Sequence, residues 1–242
     1  MKKALILMVA TMMTVTAAKA QDTENRLSLY LGAGIEKELN DKFSAGIDLQ
    51  GRFCGDPKSQ EFLIRPSVEF SPVKYFSIGA EYRWDMEHDA EEKTTDWQGR
   101  LGLSAKGKVS INHFKLEARV KYCNYSGDYA YWDTDKSVSD TAKLNYLRFK
   151  IQAGYKIKPL KMTPYISYEL FDNLTRGKID RLRYTVGVKK KLGNSTLSFE
   201  YMLYQKFSRY TVKKGNRKDD INGNIFALSY KYTIPYKPKE TE

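Results

Sequence analysis

Charged residues that share one face of an extended segment are the chemically informative feature of this chain. Asp48 lies four residues from Arg52 and Arg65 four from Glu69, while Glu81 lies two from Arg83 and Glu117 two from Arg119. Side chains alternate between the two faces of a strand, so residues two or four apart point the same way. Arg100, Arg148, Lys150, Glu169, Arg183 and Glu200 fall on the corresponding faces of their own segments. Gathered into one interior, these groups admit two readings. One is an ion-pair network that fills the space and stiffens its wall, since buried charge demands a partner. The other is a charged constriction that selects solutes. Inward Lys and Arg outnumber inward Asp and Glu by about two to one, so an open interior would favour anions.

Enzymatic chemistry has few candidates. The only histidines are His88 and His113. The first is expected in an outer loop, Asp85-Met-Glu-His-Asp89, where it is either a rim acid–base group or a solvated side chain; the second is expected in a short turn with no nucleophile beside it. No G-x-S-x-G, H-E-x-x-H or calcium-loop pattern occurs, so no cofactor or catalytic metal is expected. The acidic run Asp85, Glu87, Asp89, Glu91, Glu92 is either a weak divalent-cation site or a hydrated loop. In the segment Tyr129-Ala-Tyr131-Trp132, exposed aromatics stack on sugar rings, rest on a membrane surface or pack across the mouth of the fold. Cys54 and Cys123 are expected to be free thiols, on strands four apart and roughly 20 Å from one another, beyond disulfide reach.

The elements that must position these residues are short and alternating. Phe43, Ala45, Ile47, Leu49 and Phe53 lie on one face of a segment whose other face carries Lys42, Ser44, Asp48, Gln50 and Arg52. Period two marks a strand with two different surroundings. The same alternation recurs over 26–38, 42–54, 61–70, 75–84, 97–109, 114–124, 145–157, 161–171, 180–192, 195–206 and 224–234. Tight turns at 39–41, 71–74, 110–113, 158–160 and 193–194 alternate with longer polar connections at 55–60, 85–96, 125–144, 172–179 and 207–223. That asymmetry predicts an all-β transmembrane antiparallel barrel of about ten to twelve strands, with short periplasmic turns, long extracellular loops, an apolar outside and a polar lumen. A soluble barrel or sandwich is the competing expectation, with the apolar face as core. An odd strand count conflicts with the usual even number. Three resolutions stay open: an undetected N-terminal strand, a first segment threading the lumen, or closure by one parallel pair. Pro66 and Pro164 fall inside strands and are expected to mark strand ends or bulges.

Export fits this architecture. Lys2 and Lys3 precede an apolar run from Ala4 to about Val15, followed by Ala18-Lys19-Ala20. Residues 1–20 read as a cleaved signal peptide, 21–234 as one barrel domain and 235–242 as a polar tail. The apolar run is too short to span a bilayer as a helix. Removal of the signal lowers the formal charge from +12 to about +9. That excess is either solvated on loop tips and tail (Lys213, Lys214, Arg217, Lys218, Lys237, Lys239) or a preference for anionic solutes, sugars or lipopolysaccharide. Outer-membrane lipid is the expected surrounding, nucleic acid is not an expected partner, and the oligomeric state is left open.

Between Asn145-Tyr-Leu-Arg-Phe-Lys150 and Met162-Thr-Pro-Tyr-Ile-Ser-Tyr-Glu-Leu-Phe171 the chain resembles a known family. Arg183-Tyr-Thr-Val-Gly-Val188, Leu197-Ser-Phe-Glu-Tyr-Met-Leu-Tyr204 and Ile225-Phe-Ala-Leu-Ser-Tyr-Lys-Tyr232 carry the same resemblance. It is similar to the outer-membrane barrel family catalogued as domain of unknown function 2490, across essentially the mature chain. The resemblance implies an exported barrel in a Gram-negative outer membrane and supplies no activity or catalytic residues. The functional expectation is a small passive pore with a basic lumen. Its alternatives are a plugged structural or surface-interaction barrel and, last, a rim hydrolase using His88.

Overall fold

A computed structural model describes residues 26–53, 59–89, 94–126, 144–175, 177–206 and 222–236. They form eleven strands: β1 (Arg26–Glu38), β2 (Phe43–Phe53), β3 (Ser59–Val73), β4 (Phe76–Asp89), β5 (Thr94–Ile111), β6 (Phe114–Ser126), β7 (Asn145–Tyr155), β8 (Met162–Asn173), β9 (Lys178–Leu192), β10 (Ser195–Lys206) and β11 (Asn222–Ile234). Consecutive strands pair antiparallel all the way round, and β1 meets β11 to close a barrel. The closing pair is parallel, in register from Arg26↔Gly223 to Lys37↔Ile234. An odd number of up-and-down strands leaves the first and last running the same way, so one parallel seam is the geometric consequence of closure. Of the three resolutions, this is the one adopted; β1 neither threads the lumen nor acquires a twelfth neighbour. An ion pair from Lys231 to Glu36 and a hydrogen bond from the Tyr236 N–H to the Glu38 carboxylate (3.1 Å) fasten the two edges at one end.

The tight turns have local causes. The Asn40 side-chain oxygen accepts hydrogen bonds from the N–H groups of Lys42 and Phe43, both at 2.8 Å. Gly193 takes the left-handed conformation at φ 60° in the Gly193-Asn194 turn. Five such connections gather at one end of the barrel, the short-turn end; the opposite, long-loop end holds the rest.

Polarity concealed strand at the long-loop end. Residues 85–96, expected as loop, are mostly ladder: Asp85↔Gln98, Met86↔Trp97 and Asp89↔Thr94 extend the β4–β5 hairpin. Alternation persists there because Asp85 points inward onto Arg83 while Trp84 faces out. His88 therefore belongs to β4 and not to a loop. Pro66 marks neither a strand end nor a bulge: it pairs with Ile47 within β3, and the β3–β4 ladder passes over Arg65 and Pro66. The irregularity in that ladder lies between Phe70 and Val73. Pro164 likewise marks no bulge: it lies inside β8, paired with Val188 of β9, just past the last β7–β8 partner pair, Gly154↔Tyr165.

The two faces differ as the alternation demands. Outward positions expose Leu29, Leu31, Ile47, Leu49, Ile64, Val68, Trp84, Leu103, Phe149, Ile166, Phe199 and Leu228. The core lies inside the barrel. Cys123, Tyr146 and Phe171 pack together with Tyr125, Leu144 and Tyr204, and Met202, Ile225 and Ala227 form a second cluster with Tyr30.

Candidate functional site: the charged lumen

Ion pairs in the lumen run across strands more than along them. Arg65 meets Asp48 at 2.9 Å and Arg52 meets Glu61 at 2.8 Å, each pair being direct ladder neighbours on β2 and β3. Glu69 takes Lys106, two strands away, at 2.8 Å. Glu81 takes Arg100 at 2.8 Å and Lys121 at 2.5 Å. The pairings suggested by sequence spacing (Asp48 with Arg52, Arg65 with Glu69, Glu81 with Arg83, Glu117 with Arg119) are replaced by these. The reason is distance: same-face residues on one strand are about 7 Å apart, whereas cross-strand neighbours stand about 5 Å apart. Arg83 pairs along its own strand, but with Asp85.

The centre of the network is Glu169 on β8. It is 2% exposed and holds three guanidinium groups: Arg119 at 2.9 Å, Arg148 at 2.8 Å and Arg183. Lys150 is the ladder partner of both Glu169 and Arg119. Its ammonium makes no ion pair or hydrogen bond with the described residues, because the three arginines occupy both carboxylate oxygens. Glu200 accepts a hydrogen bond from the Tyr165 hydroxyl, which reaches it over Gly187. A Cβ at that glycine would sit 2.7 Å from the Tyr165 ring and 2.9 Å from the Phe199 carbonyl oxygen. Gly102 likewise leaves room for Lys121 to cross to Glu81. Glu117 faces Lys108 and Gln152 in the ladders.

Towards the long-loop end the lumen is more buried and aromatic. Arg148 and Arg183 stack on the Phe171 ring at 4.5 and 5.3 Å, and Arg181 lies over Tyr146 at 5.2 Å. Arg100 lies over Tyr125 at 5.7 Å and Arg52 over Tyr30 at 4.8 Å. Cys123 is a free thiol, fully buried in this layer. Towards the short-turn end the inward residues are lysines: Lys106 and Lys189 are half-buried and Lys108, Lys115 and Lys191 exposed. Lys115 feels the charge of Lys108, Lys156, Lys189 and Lys191 together.

Glu61, Lys106, Lys121, Arg181 and the inward rings Tyr125, Tyr146, Tyr165, Phe171 and Tyr204 are not among the expected lumen residues, and Asp85, expected in an acidic outer run, points inward onto Arg83. Parity was a usable signal, since Lys121 lies two from Arg119 and Phe171 two from Glu169. Tyr129, Tyr131, Trp132, Cys54, Glu91, Glu92 and the tail and loop lysines lie outside the described residues, and the His88 side chain does too. His113 occupies the β5–β6 turn and stacks on Tyr155 at 5.6 Å.

A family model described as "Protein of unknown function (DUF2490)" matches residues 27–215, from β1 through β10. The chain belongs to this family. The match covers most of the barrel and stops before β11. No curated protein matches the chain. A solved structure, described as "Unveiling the Mechanism Behind the in-meso Crystallization of Membrane Proteins", is similar at 14% identity and a TM-score of 0.37, over 85% of this chain and 80% of that one. A likeness that loose bears on neither fold nor function.

Proposed function

We propose that this DUF2490 member is an outer-membrane β-barrel of a Gram-negative envelope, exported by way of a signal peptide at residues 1–20. Its lumen is closed by its own side chains, and its function is structural or interactive. One observation carries the closed reading: towards the long-loop end the inward side chains of Cys123, Tyr146, Phe171, Met202, Arg100, Arg148 and Glu169 are all buried. The outward Leu, Ile, Phe and Trp side chains support membrane placement, because so extensive an apolar surface in water would drive association. In that setting the short turns face the periplasm and the long connections face outward.

A specific observation favours a second reading, a passive pore that prefers anions: the short-turn half is lined by lysines that water reaches. Single-channel recording of the refolded protein in a planar bilayer separates the two. Silence from a barrel that still shows heat-modifiable migration supports closure. Discrete steps overturn it; the pore reading then expects Arg65→Ala, Arg119→Ala or Arg148→Ala to shift the reversal potential under a salt gradient.

A further inference from the structure

We propose that the short-turn half of the lumen is a blind basic vestibule whose floor, at Lys150, Arg119 and Ser167, binds a soluble phosphate-class oxyanion. Three polar groups there lack partners among the described residues. The Lys150 side chain is half-buried and its ammonium makes no ion pair or hydrogen bond with the described residues, and the Arg119 Nε and the Ser167 hydroxyl are buried without hydrogen bonds. They lie close together in the sheet. Arg119↔Lys150↔Glu169 is one cross-strand row, and Gln152↔Ser167 is the inward row one step nearer the short-turn end.

The charge is unbalanced at the same place. Four cations, on Arg119, Arg148, Arg183 and Lys150, stand against two carboxylates, Glu169 among them and Glu117 at the head of the Gln152↔Ser167 row, so an excess of positive charge remains. Buried positive charge without a counter-ion is costly, so the arrangement favours an anion that supplies the missing acceptors. A phosphate offers several oxygens, enough for an ammonium, a guanidinium N–H and a hydroxyl at once. The approach is electrostatically biased the same way, because Lys115, Lys189 and Lys191 crowd the mouth. The carboxylates that face this space are Glu117, Glu200 and Glu69. Glu69 is neutralised by Lys106, and Glu200 is engaged by Tyr165.

Closure of the far end makes the vestibule blind and rests on the closed-lumen reading; the anion site itself does not. Isothermal titration of the refolded full chain in uncharged detergent, with inorganic phosphate and then pyrophosphate, tests it. Saturable binding at one site per chain is expected, stronger for pyrophosphate. It should weaken about tenfold or more in Lys150→Met and several-fold in Ser167→Ala. Lys190→Met, on the outward face of the neighbouring β9, should bind as the wild type does. No saturable binding, or equal losses in Lys150→Met and Lys190→Met with heat-modifiable folding intact, overturns the site. Conductance steps accompanied by Lys150-dependent binding would leave the anion site standing and remove only the closed end.

Discussion

The two halves of the lumen solve the same problem with different cations. Near the long loops most of the positive charge is arginine, stacked on Phe171, Tyr146, Tyr125 and Tyr30 and paired with Glu169, Glu81 and Glu61, with Lys121 buried beside Glu81. Near the short turns it is lysine, much of it in reach of water. A guanidinium is weakly hydrated, planar and rich in donors, so it can be buried if rings and carboxylates surround it. An ammonium is strongly hydrated and mostly stays where water reaches it, Lys121 against Glu81 being the buried exception. The difference teaches that arginine here acts as packing material as much as charge, and that most of the lysine is kept where solvent reaches it.

The comparison breaks most decisively at its hub. Glu169→Ala leaves Arg119, Arg148 and Arg183 facing one another without an acid, and is expected to destabilise the barrel by about 3–5 kcal/mol. Urea titration in detergent micelles measures this; an unchanged midpoint would mean the arginine half is wet. Gly187→Ala should cost about 1–3 kcal/mol by forcing Tyr165 off Glu200, read from the same titration. Arg148→Lys, which keeps the charge but loses the fork and the stacking on Phe171, should cost about 1–2 kcal/mol. The reciprocal Lys150→Arg should be near neutral, and equal costs for the two would erase the distinction. The smallest effect belongs to Arg65→Ala: its guanidinium is 37% exposed and its partner Asp48 27%, so solvent screens the pair and the loss should stay under about 1 kcal/mol. A larger drop in thermal stability would show that the boundary between the halves lies nearer the short turns.

Much of the barrel was legible because alternation is a local property. The bounds of β1 and β10 coincide with the segments expected from period two, and the other strands differ by a few residues at their ends. The largest discrepancy, at 85–96, arose because Asp85, Glu87 and Asp89 read as a hydrated loop when their alternation with Trp84, Met86 and His88 still described a strand. The inward faces of Arg119, Arg148, Lys150 and Glu169 were legible in the same way. Their partners were not. Nothing local tells Glu169 that Arg119, fifty positions away in the chain, will lie within reach over the β7 strand.

By itself, then, the sequence determined strand, face and turn, because each depends on residues within a few positions of one another. The tertiary structure alone decided the parallel seam between β1 and β11, the assignment of three arginines to one glutamate, and the division of the lumen into a buried and a more exposed half. Those depend on which strands become neighbours on closure, and a cross-strand neighbour at about 5 Å outcompetes any same-face residue of the same strand.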